Sequence, residues 1–224
     1  MTTAKPPTKR MQRKWLWFVV LPASVLLLSL ILSAFALTQR PAWYRPYTLD
    51  AERLEQDKRN LANLIDGVSV ALNSRQAIRI ELDEAQLNRW IAARDEWPEA
   101  LADLDLGPLE YPQLMLLPGN ELRLAARARQ SDYEVIVAVR FGFQVRGDQF
   151  DVRWSGTSVG HFPIPRGLIS MLADAGDREY ANQLLHGGSI VLPNAWTWPN
   201  GRPRFRIEEL RIDERRLSIL LEPL

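Results

Sequence analysis

The two histidines, His161 and His186, are the side chains whose charge changes most readily near neutral pH, which suits acid–base catalysis or metal binding. They do not form a pair at helical spacing, and the chain has no cysteine to complete a metal site. His161 lies beside Phe162 at the end of a predicted strand, and His186 precedes Gly187 and Gly188. Surface or capping positions explain both histidines, so we expect neither catalysis nor a bound metal there.

Carboxylates cluster twice along the chain, and paired carboxylates are the other common acid–base device. Asp174, Asp177 and Glu179 fall at predicted helix boundaries, where acidic residues cap helices. Glu208 and Glu209 interrupt the last predicted hairpin, where a bulge or a charged sheet edge accounts for them. The chain contains no nucleophile elbow, phosphate-binding loop or dinucleotide fingerprint. The sequence therefore predicts a protein that is not an enzyme and has no cofactor.

An uncharged run of 22 residues, Leu16 to Leu37, predicts a transmembrane helix. At 1.5 Å per residue it extends about 33 Å, enough to cross a hydrocarbon core of about 30 Å. Five basic residues and no acid precede it within residues 1–14, which predicts a cytoplasmic N-terminus. Aromatic residues flank the run, as in the belts at membrane interfaces: Trp15, Trp17, Trp43, Tyr44 and Tyr47.

A cleaved signal peptide is the alternative interpretation of the same run, because Ala34-Phe35-Ala36 fits a cleavage site. The run is longer than a usual signal core of about 7–15 residues, which favours an uncleaved anchor. We thus divide the chain into a cytoplasmic tail (1–14), a transmembrane helix (15–38), a linker with a membrane-proximal helix (39–75) and an extracytoplasmic domain (76–224). The predicted location is the inner (cytoplasmic) membrane, with a single pass.

Charge and composition restrict the partners of the outer domain. The whole chain carries +1 and the basic tail +5, so the remainder carries −4. An acidic domain argues against nucleic acid as a partner, since phosphate binding requires a basic surface. With no cysteine, the domain must be stabilised by its hydrophobic core without disulfides.

The predicted fold class is α+β, a long antiparallel β-meander packed by a few helices. Residues 39–47, with Pro41 and Pro46, predict a short stiff exit from the membrane. A helix is expected over 50–73, followed by a strand at 77–82. Asp83 and Gln86 then resemble a capping box that opens another helix.

Alternation of apolar and polar residues predicts the meander. Even positions from Leu122 alternate with arginines, and the odd positions from Tyr133 to Val145 form the longest alternating stretch. An antiparallel return begins near Phe150, with a bulge expected near Gly156 because the alternation changes phase there. The sheet should therefore have one apolar face and one polar, arginine-bearing face.

The C-terminal third is expected to contain two helices, a short strand and a hairpin. The predicted helices cover 167–175 and 177–185, and Ser189 to Leu192 reads as a strand. An aromatic loop at 196–201 precedes a hairpin over 205–221 that turns at Asp213 to Arg216.

The order of these elements resembles the YpmS-like group of membrane-anchored bacterial envelope proteins. The matching pieces are Leu82 to Asn88 (Asp-Glu-x-Gln-Leu-Asn) and Gly160 to Pro165 (Gly-x-Phe-Pro-x-Pro), within an overall correspondence from 76 to 221. The helix at 50–73 and the aromatic loop depart from that pattern. The resemblance implies one N-terminal anchor and a relation to tubular lipid-binding folds, in which a long curved sheet wraps a helix.

A long sheet with one apolar face must cover that face with helices or with a ligand. We therefore expect an outer domain that binds membrane lipid or another apolar ligand if helices 84–95 and 166–175 cover the sheet only partly. Ordinary core packing is the favoured interpretation of each single residue. The candidate lining residues are Val137, Val139, Phe141, Trp154, Phe162, Leu168 and Met171.

Two alternatives remain open. A scaffold or assembly factor would contact another envelope protein, with Trp196 and Trp198 as the candidate anchors. A hydrolase acting on envelope polymers is the weaker alternative, since a convergent catalytic triad leaves no sequence signature.

Overall fold

The computed structural model describes residues 24–29, 36, 39–48, 50–93, 110–130, 133–165, 167, 188–198 and 203–224. The fold is α+β with antiparallel sheets, which confirms the predicted class for the body. The elements are α1 (Ala51–Asn73), α2 (Glu84–Ala92), β1 (Ile78–Asp83), β2 (Glu110–Leu117), β3 (Glu121–Gln130), β4 (Tyr133–Arg146), β5 (Gln149–Val159), β6 (Phe162–Ile164), β7 (Ser189–Pro193), β8 (Trp196–Thr197), β9 (Arg204–Asp213) and β10 (Arg216–Pro223).

Residues 24–29 of the predicted anchor are helical, and Val25, Leu26, Leu27 and Leu28 have exposed side chains. Within the described ranges, no helix combines the length and the hydropathy needed to cross a bilayer.

The strands of the described residues form two sheets. The larger sheet has the order β2-β3-β4-β5-β6, with β7 pairing with another part of β5. The smaller sheet has the order β1-β10-β9-β8. The predicted meander is therefore confirmed as β3-β4-β5, and the predicted C-terminal hairpin as β9-β10.

Bulges occur in both regions where sequence patterns predicted them. Arg140 of β4 faces Gly156 and Phe141 faces Trp154, so Ser155 is the extra residue on β5. In the hairpin, Glu208 is the extra residue of β9 between the paired residues Ile207 and Glu209. An extra residue shifts the alternation by one position, which explains the change of phase along both strands.

Helix α1 packs its apolar stripe on the smaller sheet. Val68 and Leu72 are buried with Ile80, Phe205 and Leu221, so the apolar stripe of α1 is part of the hydrophobic core. The Asp50 side chain accepts a hydrogen bond from the backbone N–H of Glu52 at the start of the helix. Burial of this stripe is what holds α1 against the body.

Helix α2 covers the free edge of β2 with polar side chains. Asn88 donates to the backbone oxygen of Leu114 and accepts from its N–H, both at 2.7 Å. The Glu84 carboxylate accepts from the N–H of Leu116 at 2.8 Å. These contacts complete the hydrogen bonding of an edge that would otherwise be open to pairing. Asp83 accepts from the N–H of Gln86 at 2.6 Å, as the capping pattern predicted.

Two further asparagines join the sheets along the outer edge of β9. Asn194, 3% exposed, donates to Gly147 O and Ile207 O and accepts from the N–H of Ile207. Asn120 accepts from the N–H of Ile212 at 2.8 Å, and its own carbonyl accepts from the N–H of Phe143. Each amide thus supplies the partners that a neighbouring strand would supply.

Candidate functional site

Residues 39–45, here called the strap, lie across the arginine-bearing face of the larger sheet. Tyr44 is 1% exposed and packs against Ala125 of β3 and against Ile136 and Ala138 of β4. Its hydroxyl donates to the backbone oxygen of Tyr111 in β2. The predicted stiff exit from the membrane is therefore a docked segment, because the small residues of this face leave room for the tyrosine ring.

Polar contacts fix the strap at the β2 edge. The side-chain oxygen of Gln113 accepts from the N–H of Arg45, and its amide nitrogen donates to the backbone oxygen of Trp43 at 3.3 Å. The guanidinium of Arg123 lies 4.8 Å from the centre of the Trp43 ring, within cation–π range. Gln113 is itself buried, so these hydrogen bonds form away from solvent.

The chain reaches the opposite edge of the sheet just before the strap. The backbone N–H of His161, in the turn between β5 and β6, donates to the oxygen of Ala36 at 3.2 Å. Ala36 belongs to the last turn of the predicted membrane span. Ala36 is therefore in contact with the β5–β6 turn, whereas the strap at 39–45 reaches β2.

Burial raises the pKa of the Tyr44 hydroxyl above its ordinary value of 10.0. The positive charges of Arg127 and Arg40 oppose that rise, with the Arg40 guanidinium 5.2 Å from the centre of the Tyr44 ring. The neutral phenol is thus the form that the folded protein holds against the sheet.

The opposite face of the larger sheet carries a continuous apolar row. Ala126, Val137, Val159 and Phe162 stand opposite one another on four adjacent strands. With the neighbouring side chains on the same face they form what we call the apolar strip: Leu124, Ala126, Val137, Val139, Phe141, Val159 and Phe162.

The structure brings five of the seven candidate lining residues onto this face. Val137, Val139 and Phe141 are half-buried and lie outside the hydrophobic clusters formed by the described residues. Phe162 is 44% exposed, whereas Trp154 is 6% exposed and belongs to the buried core. Leu168 and Met171 lie outside the described residues. The predicted helices at 167–175 and 177–185 also fall there, apart from Gly167.

The apolar strip extends beyond the part of the sheet that the smaller sheet covers. The contacts between the sheets involve Leu114 and Leu116 of β2, Phe143 of β4, and Leu210 and Ile212 of β9. Helix α2 packs on β1 and β2 through the same cluster, with Leu87 and Ile91. The strip lies on the same face, farther along β3, β4 and β5.

Trp196 and Trp198, the candidate partner anchors, are half-buried and pack against the α1 core. The indole nitrogen of Trp198 donates to the Ser69 hydroxyl at 2.7 Å, and that of Trp196 donates to the Asn194 amide oxygen at 3.1 Å. Both side chains thus have structural partners in their own domain, and their role in partner binding stays a prediction.

Of the catalytic candidates noted in the sequence, His161 lies at a turn of the larger sheet, and Glu208 and Glu209 belong to the smaller one. His161 is exposed in the β5–β6 turn, and His186 lies outside that part. Among described residues, no cluster of three or more histidines and carboxylates has metal-binding geometry. Glu208 is the bulged residue of β9 and lies 3.2 Å from Arg206, which agrees with a structural role.

Sequence reasoning missed the strap. The signal was present in Trp43 and Tyr44 beside prolines, but a membrane interface explains such aromatics equally well. The surface on which Tyr44 packs includes Ala125 and Ala138. These small residues lie on the arginine-bearing face of the sheet, which the sequence pattern predicts to be polar.

Comparison with protein-family models, curated proteins and solved structures finds no match for this chain.

Proposed function

We propose that this chain is a single-pass, membrane-anchored envelope protein whose outer domain binds lipid or another apolar ligand along the apolar strip. The observation that carries the proposal is the hydrogen bond between His161 and Ala36. It places the end of the apolar segment against the β5–β6 turn, one residue from the exposed ring of Phe162. A bilayer that contains the segment would then adjoin the apolar strip.

Other features support the same proposal. Four consecutive apolar side chains, Val25 to Leu28, are exposed around the helix at 24–29, which suits contact with lipid. The strap is docked on the larger sheet, so the domain would keep one orientation against the membrane. The YpmS-like resemblance of Leu82 to Asn88 and Gly160 to Pro165 implies the same kind of protein.

Native mass spectrometry of the full-length protein, extracted in a maltoside detergent, tests the proposal. We expect co-purified lipid in the wild type and less lipid in Phe162→Asp, because a carboxylate at the mouth of the strip disfavours an acyl chain. Val191→Asp is the matched control, since Val191 is a 54% exposed apolar strand residue of the same sheet but lies outside the strip.

Equal lipid in wild type and both variants would count against the strip as the binding surface. A protein that carries no lipid in any form would contradict the ligand-binding function. It would favour the scaffold alternative, for which no described surface gives specific support.

A further inference from the structure

A concavity of about 250 Å³ opens on the arginine-bearing face, next to the strap. Four neighbouring strands line it, and the residues that matter for its chemistry are Arg123, Arg140, Ser155, Gly156, Ser158 and Pro163. It lies on the face opposite the apolar strip, so it is a separate feature of the same sheet.

Two guanidinium groups line this concavity, and their positive charges are only partly neutralised by nearby carboxylates. Arg123 and Arg140 stand directly opposite each other on β3 and β4, an arrangement in which like charges destabilise a sheet. Arg140 lies 3.7 Å from the Glu121 carboxylate. Among the described residues, no carboxylate lies within ion-pair distance of Arg123, whose charge faces the Trp43 ring.

Partial burial makes the charge of Arg123 costly. Desolvation lowers the pKa of Arg123 and the neighbouring charge of Arg140 lowers it further, whereas the charge of Glu121 opposes both effects. A bound anion would stabilise the positive charge of Arg123, since an opposite charge nearby offsets both effects.

The bulge of β5 supplies space and hydroxyl groups opposite the arginines. Gly156 faces Arg140, and a Cβ atom at this glycine would meet nothing within 4 Å, so the space above it is open. Ser155 and Ser158 line the same concavity with hydroxyl groups. Hydroxyls and guanidinium groups are donors that suit the oxygens of a tetrahedral oxyanion.

We propose that this concavity binds a phosphate group through Arg123 and Arg140. Arginine presents paired N–H donors whose spacing matches two phosphate oxygens. The proposal is independent of the apolar strip. The phosphate belongs either to a lipid headgroup or to a soluble phosphorylated compound. Pro163 at the rim of the concavity is two residues from His161, which contacts Ala36. A bilayer around the apolar segment would therefore bring its headgroups close to the concavity.

The test measures thermal melting of the full-length protein in maltoside micelles as inorganic phosphate replaces chloride at constant ionic strength. At phosphate about 100-fold above its dissociation constant we expect the melting temperature to rise by about 5–10 °C. Arg123→Gln and Arg140→Gln should abolish the rise. Each substitution relieves like-charge repulsion but also removes a contact, of Arg123 with Trp43 or of Arg140 with Glu121, so the rise is measured from each variant's own melting temperature in chloride.

Arg211→Gln is the matched control. Arg211 is an exposed arginine of the other sheet, ion-paired with Asp213 at 2.7 Å, and its loss should leave the rise unchanged. A second arm adds phosphatidylglycerol or diacylglycerol to the micelles. A rise with phosphatidylglycerol alone that needs both arginines supports a headgroup site, and a rise limited to inorganic phosphate supports a soluble ligand.

Two results would overturn the proposal. One is an equal melting temperature in phosphate and chloride together with no difference between the two lipids. The other is a phosphate-dependent rise that persists in Arg123→Gln and Arg140→Gln.

Discussion

Tyr44 shows how one side chain converts an exit segment into part of the domain. Its ring fills the space over Ala125 and Ala138, and its hydroxyl reaches across to the backbone of Tyr111. The contact links residues 67 positions apart, so it restricts the segment much more than prolines alone would.

Tyr44→Phe should reduce the free energy of unfolding by about 1 kcal/mol at pH 8, because the Tyr111 carbonyl loses its partner. Burial raises the pKa of Tyr44 in the folded state. The stabilisation is then fully present below the unfolded-state pKa of about 10 and is lost as the pH rises through the folded-state value. Denaturant titrations between pH 8 and pH 11 should therefore show the gap between wild type and variant closing. Tyr47→Phe serves as the control, and a gap that stays constant would contradict the account.

At the scale of elements, α2 is tied to the larger sheet by side chains in place of a further strand. Asn88 makes both hydrogen bonds that a neighbouring residue would make with Leu114, and Glu84 makes the next one. An ion pair of 3.0 Å between Arg89 and the buried Asp57 links α2 to α1. Helix α2 thus connects helix α1 to the edge strand β2.

Asn88→Ala should lower the free energy of unfolding by about 3 kcal/mol, because it leaves a buried N–H and a buried carbonyl of Leu114 unpaired. Asp83→Ala removes only the N-cap of the same helix and should cost about 1 kcal/mol. Denaturant unfolding followed by tryptophan fluorescence compares the two. Equal losses would show that Asn88 acts only through helix stability.

Elements with strong periodicity could be predicted from the sequence, and contacts between distant segments could not. The α1 stripe, the β3-β4-β5 meander, the Asp83 cap and both bulges follow from local spacing. The asparagine contacts and the strap depend on which residues meet across the fold. Asn88 reads as an ordinary polar helix residue until Leu114 is beside it.

Of the candidate site, alternation located Val137, Val139 and Phe141 on one face of β4, as the register confirms. It could not reveal that the opposite face is partly buried, since the arginines there dominate the pattern. The sequence pattern predicts a polar, arginine-bearing face, and only the register shows that Arg123 and Arg140 are neighbours on it.

At the scale of the whole molecule, the proposed lipid binding requires that the domain lie on the extracytoplasmic side of the membrane. The basic tail and the apolar segment predict a cytoplasmic N-terminus and an outer domain. The contact of Ala36 with His161 would then place the β5–β6 turn beside the extracytoplasmic surface of the inner membrane.

The absence of native cysteine allows this topology to be read by single-cysteine labelling in intact cells. Glu214→Cys, in the exposed turn between β9 and β10, should react with a membrane-impermeant maleimide before lysis. Thr3→Cys should react only after lysis. Label at residue 3 of the mature protein would exclude cleavage behind Ala36. The reverse pattern of labelling, or a mature protein without residue 3, would show that the orientation or the anchor is wrong.

The most direct measurement of the central claim is photocrosslinking from the apolar strip in native membranes. A benzoylphenylalanine placed at position 162 of the full-length protein should form adducts with phospholipid on irradiation, because the exposed ring of Phe162 is expected at the bilayer surface. The same amino acid at position 191, exposed outside the strip, should give few. Phospholipid adducts at 162 well above those at 191 are the predicted result, and equal yields or adducts with protein alone would contradict the account.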